Sequence, residues 1–351
     1  MKLQGTAAAL PPRSAAQSQF GRREIRCRHM QWLTMTTRSD RALIRIYTAF
    51  VLLGVLWGSN FIYMKWAAAF ISPGQISLLR VLFGFAPLAV LAWRKRVIRI
   101  EQLRYLHHFS VMAALTTAFS YFAMAKGTSL LPSGIAGVLA GSPPLFTSMA
   151  SSLFLRNEKM NGLMVCSVAL GLIGIALIAR PWESASADNA ISFAGVAWML
   201  AGSIVFGLSY IYVRRFISPV NLAPLSVVTW QIGLALLMLL ISTDMSGIGQ
   251  ILQDWRAVTG LVIGLGLLGT GASFVLYYFL LQELGAVAAA GAIYITPVVA
   301  LLIGWVAGER VGLVEVVAVI LIVGSIAMLE VGRQRTAHRE AAPTQGTVSF
   351  D

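Results

Sequence analysis

Long apolar runs separated by short polar ones fill the chain between Ile46 and Val331. A helix needs about 20 mostly apolar residues to cross the hydrocarbon core of a bilayer, and the pattern offers ten windows of that kind. They lie at 46–69, 75–93, 106–126, 133–155, 162–180, 192–213, 223–243, 257–282, 286–307 and 312–331. The expected fold class is therefore an all-α polytopic membrane protein with ten transmembrane helices. Outside them, residues 1–45 are rich in Arg, Ser and Ala and hold no apolar core long enough for a secretory signal, TAAAL being far too short. They read as a disordered basic cytoplasmic tail, or as a misassigned start upstream of Met30 or Met35. Residues 332–351 read as a second cytoplasmic tail.

The polar positions inside these windows recur. Aligning Trp57 with Phe206 pairs Gly58 with Gly207, Asn60 with Ser209, Tyr63 with Tyr212 and Lys65 with Arg214. Later positions keep nearly the same offset: Pro73 with Pro224, Arg80 with Gln231, Phe122 with Tyr277, Pro143 with Pro297, Glu158 with Glu309 and Gly174 with Gly324. The two copies span 46–180 and 191–331. Each holds five windows, an odd number, so the second copy must enter the membrane from the opposite side. Inverted repeats of this kind are the usual architecture of secondary transporters, which build a site near the midplane between the two halves.

Composition agrees with the pattern. The 351 residues are 57% hydrophobic and only 12% charged, with a mean hydropathy of +0.75, outside the range of soluble domains. The formal charge of +13 does not indicate nucleic acid, because the cations mark topology. One set of loops carries Arg94, Lys95, Arg96, Arg99, Arg104, Arg156, Lys159, Arg214 and Arg215, and the other set only Arg180, Arg256 and Arg310. By the positive-inside rule both termini are then cytoplasmic, in a membrane expected to be the bacterial inner membrane. Catalytic chemistry has no basis here. The chain lacks GxxxxGK[ST], HExxH and GxSxG, its histidines are His29, His107, His108 and His338, and its two cysteines, Cys27 and Cys166, make no disulfide framework. No enzyme activity, metal or cofactor is expected.

The segments WGSNFIYMKW, SPGQISLLR, SGIAGVLAGSPPLFTS, AVAAAGAIYITPVVALLIGWVAGER, GLIGIALI and VGSIAML, in this order and spacing, resemble the drug/metabolite transporter superfamily with two EamA-type domains. The resemblance covers about residues 46–331. It implies a ten-helix basket around a central cavity and a small metabolite, amino acid or xenobiotic as substrate, usually exported. The chain departs from the pattern at Pro143-Pro144, where one proline is common, and at LRNEKMNG, where a GER-like link is usual.

Several side chains are candidates for contact with a solute. A charge in hydrocarbon costs at least ~2.5–3.5 kcal/mol, so Lys65 and Arg80 need water, a partner or a ligand. Lys65 either snorkels to the interface or attracts a carboxylate or phosphate, and Arg80 has the same two readings. Asn60, Tyr63, Ser209 and Tyr210 are polar groups on matched helices, and Gln231 is the neutral mate of Arg80. Trp57, Tyr121, Trp230, Tyr277 and Tyr294 are candidate aromatic walls. Pro143 and Pro297 are matched helix breakers, each preceded by a hydroxyl, Ser142 and Thr296. Glu309 is expected to cap the helix it precedes. Glu283 and Glu315 are the candidates for a proton-coupling carboxylate. The expected function is alternating-access transport of a small organic solute, with a non-coupled channel or facilitator as the alternative. Proton coupling stays open.

Overall fold

The computed structural model describes residues 40–154, 160–180, 191–220, 222–285, 289, 291–309 and 312–341. Helices account for the regular structure there, with no strand among the described residues. In chain order they are α1 (Asp40–Ala67), α2 (Pro73–Arg94), α3 (Ile100–Leu130), α4 (Ser133–Leu139), α5 (Pro143–Phe154) and α6 (Gly162–Ala179). Then follow α7 (Phe193–Val220), α8 (Pro224–Ser242), α9 (Trp255–Leu284), α10 (Gly291–Val306) and α11 (Leu313–Ala341). Eight of these are long and apolar enough to cross a membrane.

The windows at 133–155 and 286–307 are the two that do not form long helices. The first divides into α4 and α5 because Pro143 and Pro144 both lack the N–H that would continue the ladder; Ser142 N bonds back to Leu139 O at 3.1 Å, and a new helix starts at Pro143. The second, in its described part, is a short apolar helix that opens with a 3₁₀ turn, Gly291–Tyr294. Helix α1 starts at Asp40, inside the stretch expected to be tail, and α11 runs on to Ala341. Of the two cysteines, Cys166 is free and exposed, and Cys27 lies outside the described residues.

Local chemistry sets the helix ends. Ser72 and Gln75 form a capping box before α2, with Pro73 in the first turn. Gln75 Nε2 also donates to Asp244 O and Ser246 O, each at 2.8 Å, which ties the start of α2 to the turn after α8. In that turn Asp244 accepts the Ser246 backbone N–H at 2.9 Å, and this bond holds its carboxyl below the usual carboxylate range. Asn161, Ser192 and Asp254 cap α6, α7 and the start of α9.

Burial is inverted relative to a water-soluble fold. Ile241, Val306 and Leu313 are each at least 80% exposed, whereas Ser120, Ser203, Ser226 and Ser325 are fully buried. A surface of this kind is stable only against lipid. Small residues then let helices approach. A Cβ at Gly84 would meet Thr270 on α9 at 2.5 Å, and one at Gly207 would meet the Pro143 carbonyl at 3.1 Å. The GxxxG pair Gly137 and Gly141 packs on α10, against Ala300 and Pro297. The second pair behaves differently from the expectation. Gly304 lies against Gly134, but Gly308 has open space and a φ of +87°, so it ends α10 in the left-handed conformation that glycine favours.

Three helices contain π-helical turns: Ala113–Phe119 in α3, Val213–Ile217 in α7 and Gly260–Ala272 in α9. Such turns displace the backbone register by one residue and recur at functional sites. The segments in α3 and α9 each bear a threonine that accepts a hydrogen bond from another helix.

Candidate functional site

Arg80, on α2, is buried, with 7% of its surface exposed. Its Nε donates to Thr270 Oγ1 on α9 at 3.0 Å, and the guanidinium carbon sits 3.8 Å from the centre of the Tyr121 ring on α3. Stacking of this kind suits a delocalised, weakly hydrated cation. Thr270 Oγ1 in turn donates to Leu265 O at 3.0 Å, an i−5 carbonyl made available by the π-turn. Gln231, the repeat mate of Arg80, makes the corresponding bond on the other side: its Nε2 donates to Thr117 Oγ1 at 2.9 Å. Thr117 and Thr270 both escaped selection from the sequence. Thr117 stands beside Thr116 in an otherwise apolar run and Thr270 between two glycines, and their spacing falls within the range of offsets that relates the repeats.

The Trp57 and Tyr277 rings are 6.0 Å apart, and Tyr210, edge-on to Phe206, keeps 46% of its surface open. Asn60 Nδ2 reaches Gly269 O at 3.5 Å, beside Thr270, and its Oδ1 has no partner among the described residues. Thr296 Oγ1 is likewise buried and unpartnered, while Ser142 and Ser209 spend their hydroxyls on Leu139 O and Phe206 O at 2.6 Å each. Pro143 and Pro297 meet the breaks differently: Pro143 starts α5 after a full interruption, and Pro297 lies just after the 3₁₀ turn of α10.

Other candidates are held elsewhere. Lys65 uses its three donors on the carbonyls that end α3: Leu131 at 2.8 Å, Ser129 at 3.3 Å and Thr128 at 3.4 Å. It is a C-terminal cap, which the two readings from sequence did not include. Glu309 accepts the backbone N–H groups of Ser133 and Gly134, at 2.6 and 2.9 Å, so it caps α4 rather than the helix after it. Glu158, its repeat mate, lies outside the described residues. Tyr63 packs by its ring on Gly264 and, edge-on, on Trp66. Trp230 stacks on Phe109 and donates to Gln102 Oε1 at 2.9 Å. Tyr294 donates to Glu330 Oε2 at 3.0 Å, an acid that sequence reading passed over because it sits at the polar edge of its window. Glu315 is ion-paired with Arg180, and Glu283 is exposed at the end of α9.

Residues 44–180 and 193–331 both match the EamA-like transporter family. The chain belongs to that family. Among named relatives of this EamA protein, the uncharacterized transporter YoaV of Bacillus subtilis (strain 168) is 25% identical over 264 residues, covering 75% of this chain and 88% of the relative. The uncharacterized inner membrane transporter YedA of Escherichia coli (strain K12) is 26% identical over 307 residues, covering 84% and 93%. One crystal structure superposes with a TM-score of 0.54 at 19% identity, over 84% of this chain and 99% of the other, which shows a shared fold. The protein is thus an integral membrane protein of a transporter family, which points away from enzymatic chemistry.

Proposed function

We propose that this EamA protein is a secondary transporter that moves a small organic solute across the bacterial inner membrane by alternating access, in the outward direction. In this reading ten spans form two inverted five-helix repeats, with α4–α5 and α10 as the broken spans and both termini cytoplasmic. The observation that carries it is a reciprocal exchange of contacts between the sequence repeats. Arg80 on α2 bonds Thr270 on α9, and its mate Gln231 on α8 bonds Thr117 on α3. Gly58 on α1 lies under the Thr296 carbonyl of α10, and its mate Gly207 on α7 under the Pro143 carbonyl of α5. Two copies that each close on the other have equivalent alternatives on the two membrane faces, which is what alternating access requires.

The test compares small molecules inside and outside cells that make the protein with those in cells making the Pro143→Ala, Pro297→Ala double variant. One or more solutes are expected to leave the cell with the intact protein and to stay inside with the variant, at equal amounts of protein in the membrane. Equal solute distributions in both strains would overturn the reading.

A further inference from the structure

Among the described residues the Arg80 guanidinium has no counter-charge. Of its five N–H donors, the one on Nε goes to Thr270, and no described residue accepts from the two terminal nitrogens. No described carboxylate forms an ion pair with it. The terminal nitrogens are also absent from the sealed, unsatisfied atoms of the interior, so they keep accessible surface although the residue is only 7% exposed. A purely structural arginine at this depth would be expected to spend its donors on protein acceptors, as Lys65 does with all three of its own.

The geometry leaves one edge for a ligand. The face of the guanidinium lies on Tyr121, and the Nε side is taken by Thr270. What remains is the fork of terminal nitrogens, whose two parallel N–H groups match the two oxygens of a carboxylate. No second Lys or Arg stacks on Tyr121 or hydrogen-bonds Thr270 among the described residues, so Arg80 offers a single positive charge, matched to one negative charge rather than two. No described acid is hydrogen-bonded there to receive an ammonium group, which disfavours a zwitterion. Around it, the Tyr121 ring belongs to an apolar cluster on which the half-buried Phe85 and Phe274 pack, which suits an apolar body.

We propose that Arg80 is the binding counter-charge for a small organic monocarboxylate with an apolar body, its carboxylate on the terminal nitrogens. This names the substrate class of the transporter site proposed above and rests on that reading.

The probes are benzoate, phenylacetate and indole-3-acetate, each beside its neutral amide, with phenethylamine and phenylalanine as cation and zwitterion. Binding is read as the rise in unfolding midpoint of the purified full-length protein in micelles. At least one acid is expected to stabilise the wild type while its amide, the amine and the amino acid do not. Arg80→Gln should weaken that acid by about tenfold or more, and Arg80→Lys by less. Without ligand, Arg80→Gln should unfold at or above the wild-type midpoint, because glutamine keeps the Thr270 bond, as Gln231 does at the matched position, and removes an unpaired buried charge. Three results would overturn the proposal: no acid binds, the amides bind as well as the acids, or Arg80→Gln leaves acid binding intact. Any of these together with a solute moved by intact cells would leave the transporter standing without an anion site. Arg80-dependent acid binding with no solute moved in cells would instead leave the site and remove the transporter.

Discussion

Glu309→Ala is expected to cost about 3–5 kcal/mol of stability, measured by unfolding the purified protein in micelles with increasing denaturing detergent. The carboxylate accepts two backbone N–H groups at the first turn of α4, from Ser133 and Gly134. A helix start leaves such donors without partners, and hydrogen bonds to a charged acceptor contribute roughly 1.5–3 kcal/mol each. Alanine strands both in a site where neither residue is open to solvent. Glutamine retains at most one, so Glu309→Gln should fall between, at about 2 kcal/mol. The placement of Glu309 has a local cause. Gly308 ends α10 in the left-handed conformation, and the Glu309 N–H returns to Gly304 O at 2.9 Å, turning the chain so that the carboxylate faces α4. Gly304 makes the approach possible, since a Cβ there would run into the Glu309 carboxylate.

Lys65 works on the other side of the same turn. It caps the carbonyls of α3 at 128, 129 and 131 while Glu309 caps the N–H groups at 133 and 134, so one link between helices is held by a cation on its negative end and an anion on its positive end. Lys65→Met and Glu309→Gln should therefore be non-additive in a double-mutant cycle, with about 0.5 kcal/mol or more of coupling. Strict additivity would mean that the two ends of this turn hold independently.

These residues mark where sequence reasoning ends. Spans were legible because hydropathy averages over a length close to the membrane thickness, and eight helices meet that length. The repeats were legible because their landmarks are unusual residues in apolar runs. What Lys65 touches was not, because its acceptors are backbone carbonyls 63 to 66 residues away, and a carbonyl has no identity in the sequence. The pairing of Arg80 with Thr270 rests on a π-turn, and a one-residue change of register leaves hydropathy unaltered. Among the aromatic candidates, Trp57 pairs with Tyr277 and Tyr121 carries Arg80 on its face, whereas Tyr63, Trp230 and Tyr294 are spent on packing or on partners of their own. Composition names the residue type and cannot say which way a helix is turned.

Glycines extend the same point to packing, and they carry the second large effect. Gly137→Leu is expected to abolish accumulation of folded protein, and Gly137→Ala to cost about 1–3 kcal/mol. A Cβ at this position would run into Ala300 Cβ on α10 and come within 3.0 Å of Phe61 Cδ2 on α1. Ala300 and Phe61 are themselves buried, so neither has room to retreat. The crossing of α4 and α10 would have to open, which would also move the turn that Glu309 holds. Gly324→Ala is the matching control. Its Cβ would meet nothing within 4 Å, and it lies inside α11, where alanine favours the helix by up to about 1 kcal/mol. Gly174, the repeat mate of Gly324, is closed in by Ile322 at 2.8 Å and the Ala318 carbonyl at 3.0 Å, so Gly174→Ala should be destabilising. The repeat makes Gly174 and Gly324 equivalent, and the packing does not. If the two alanine variants shifted the unfolding midpoint equally, the asymmetry between α6 and α11 would be wrong, and a Gly137→Ala protein as stable as the wild type would mean that α4 and α10 do not cross this closely.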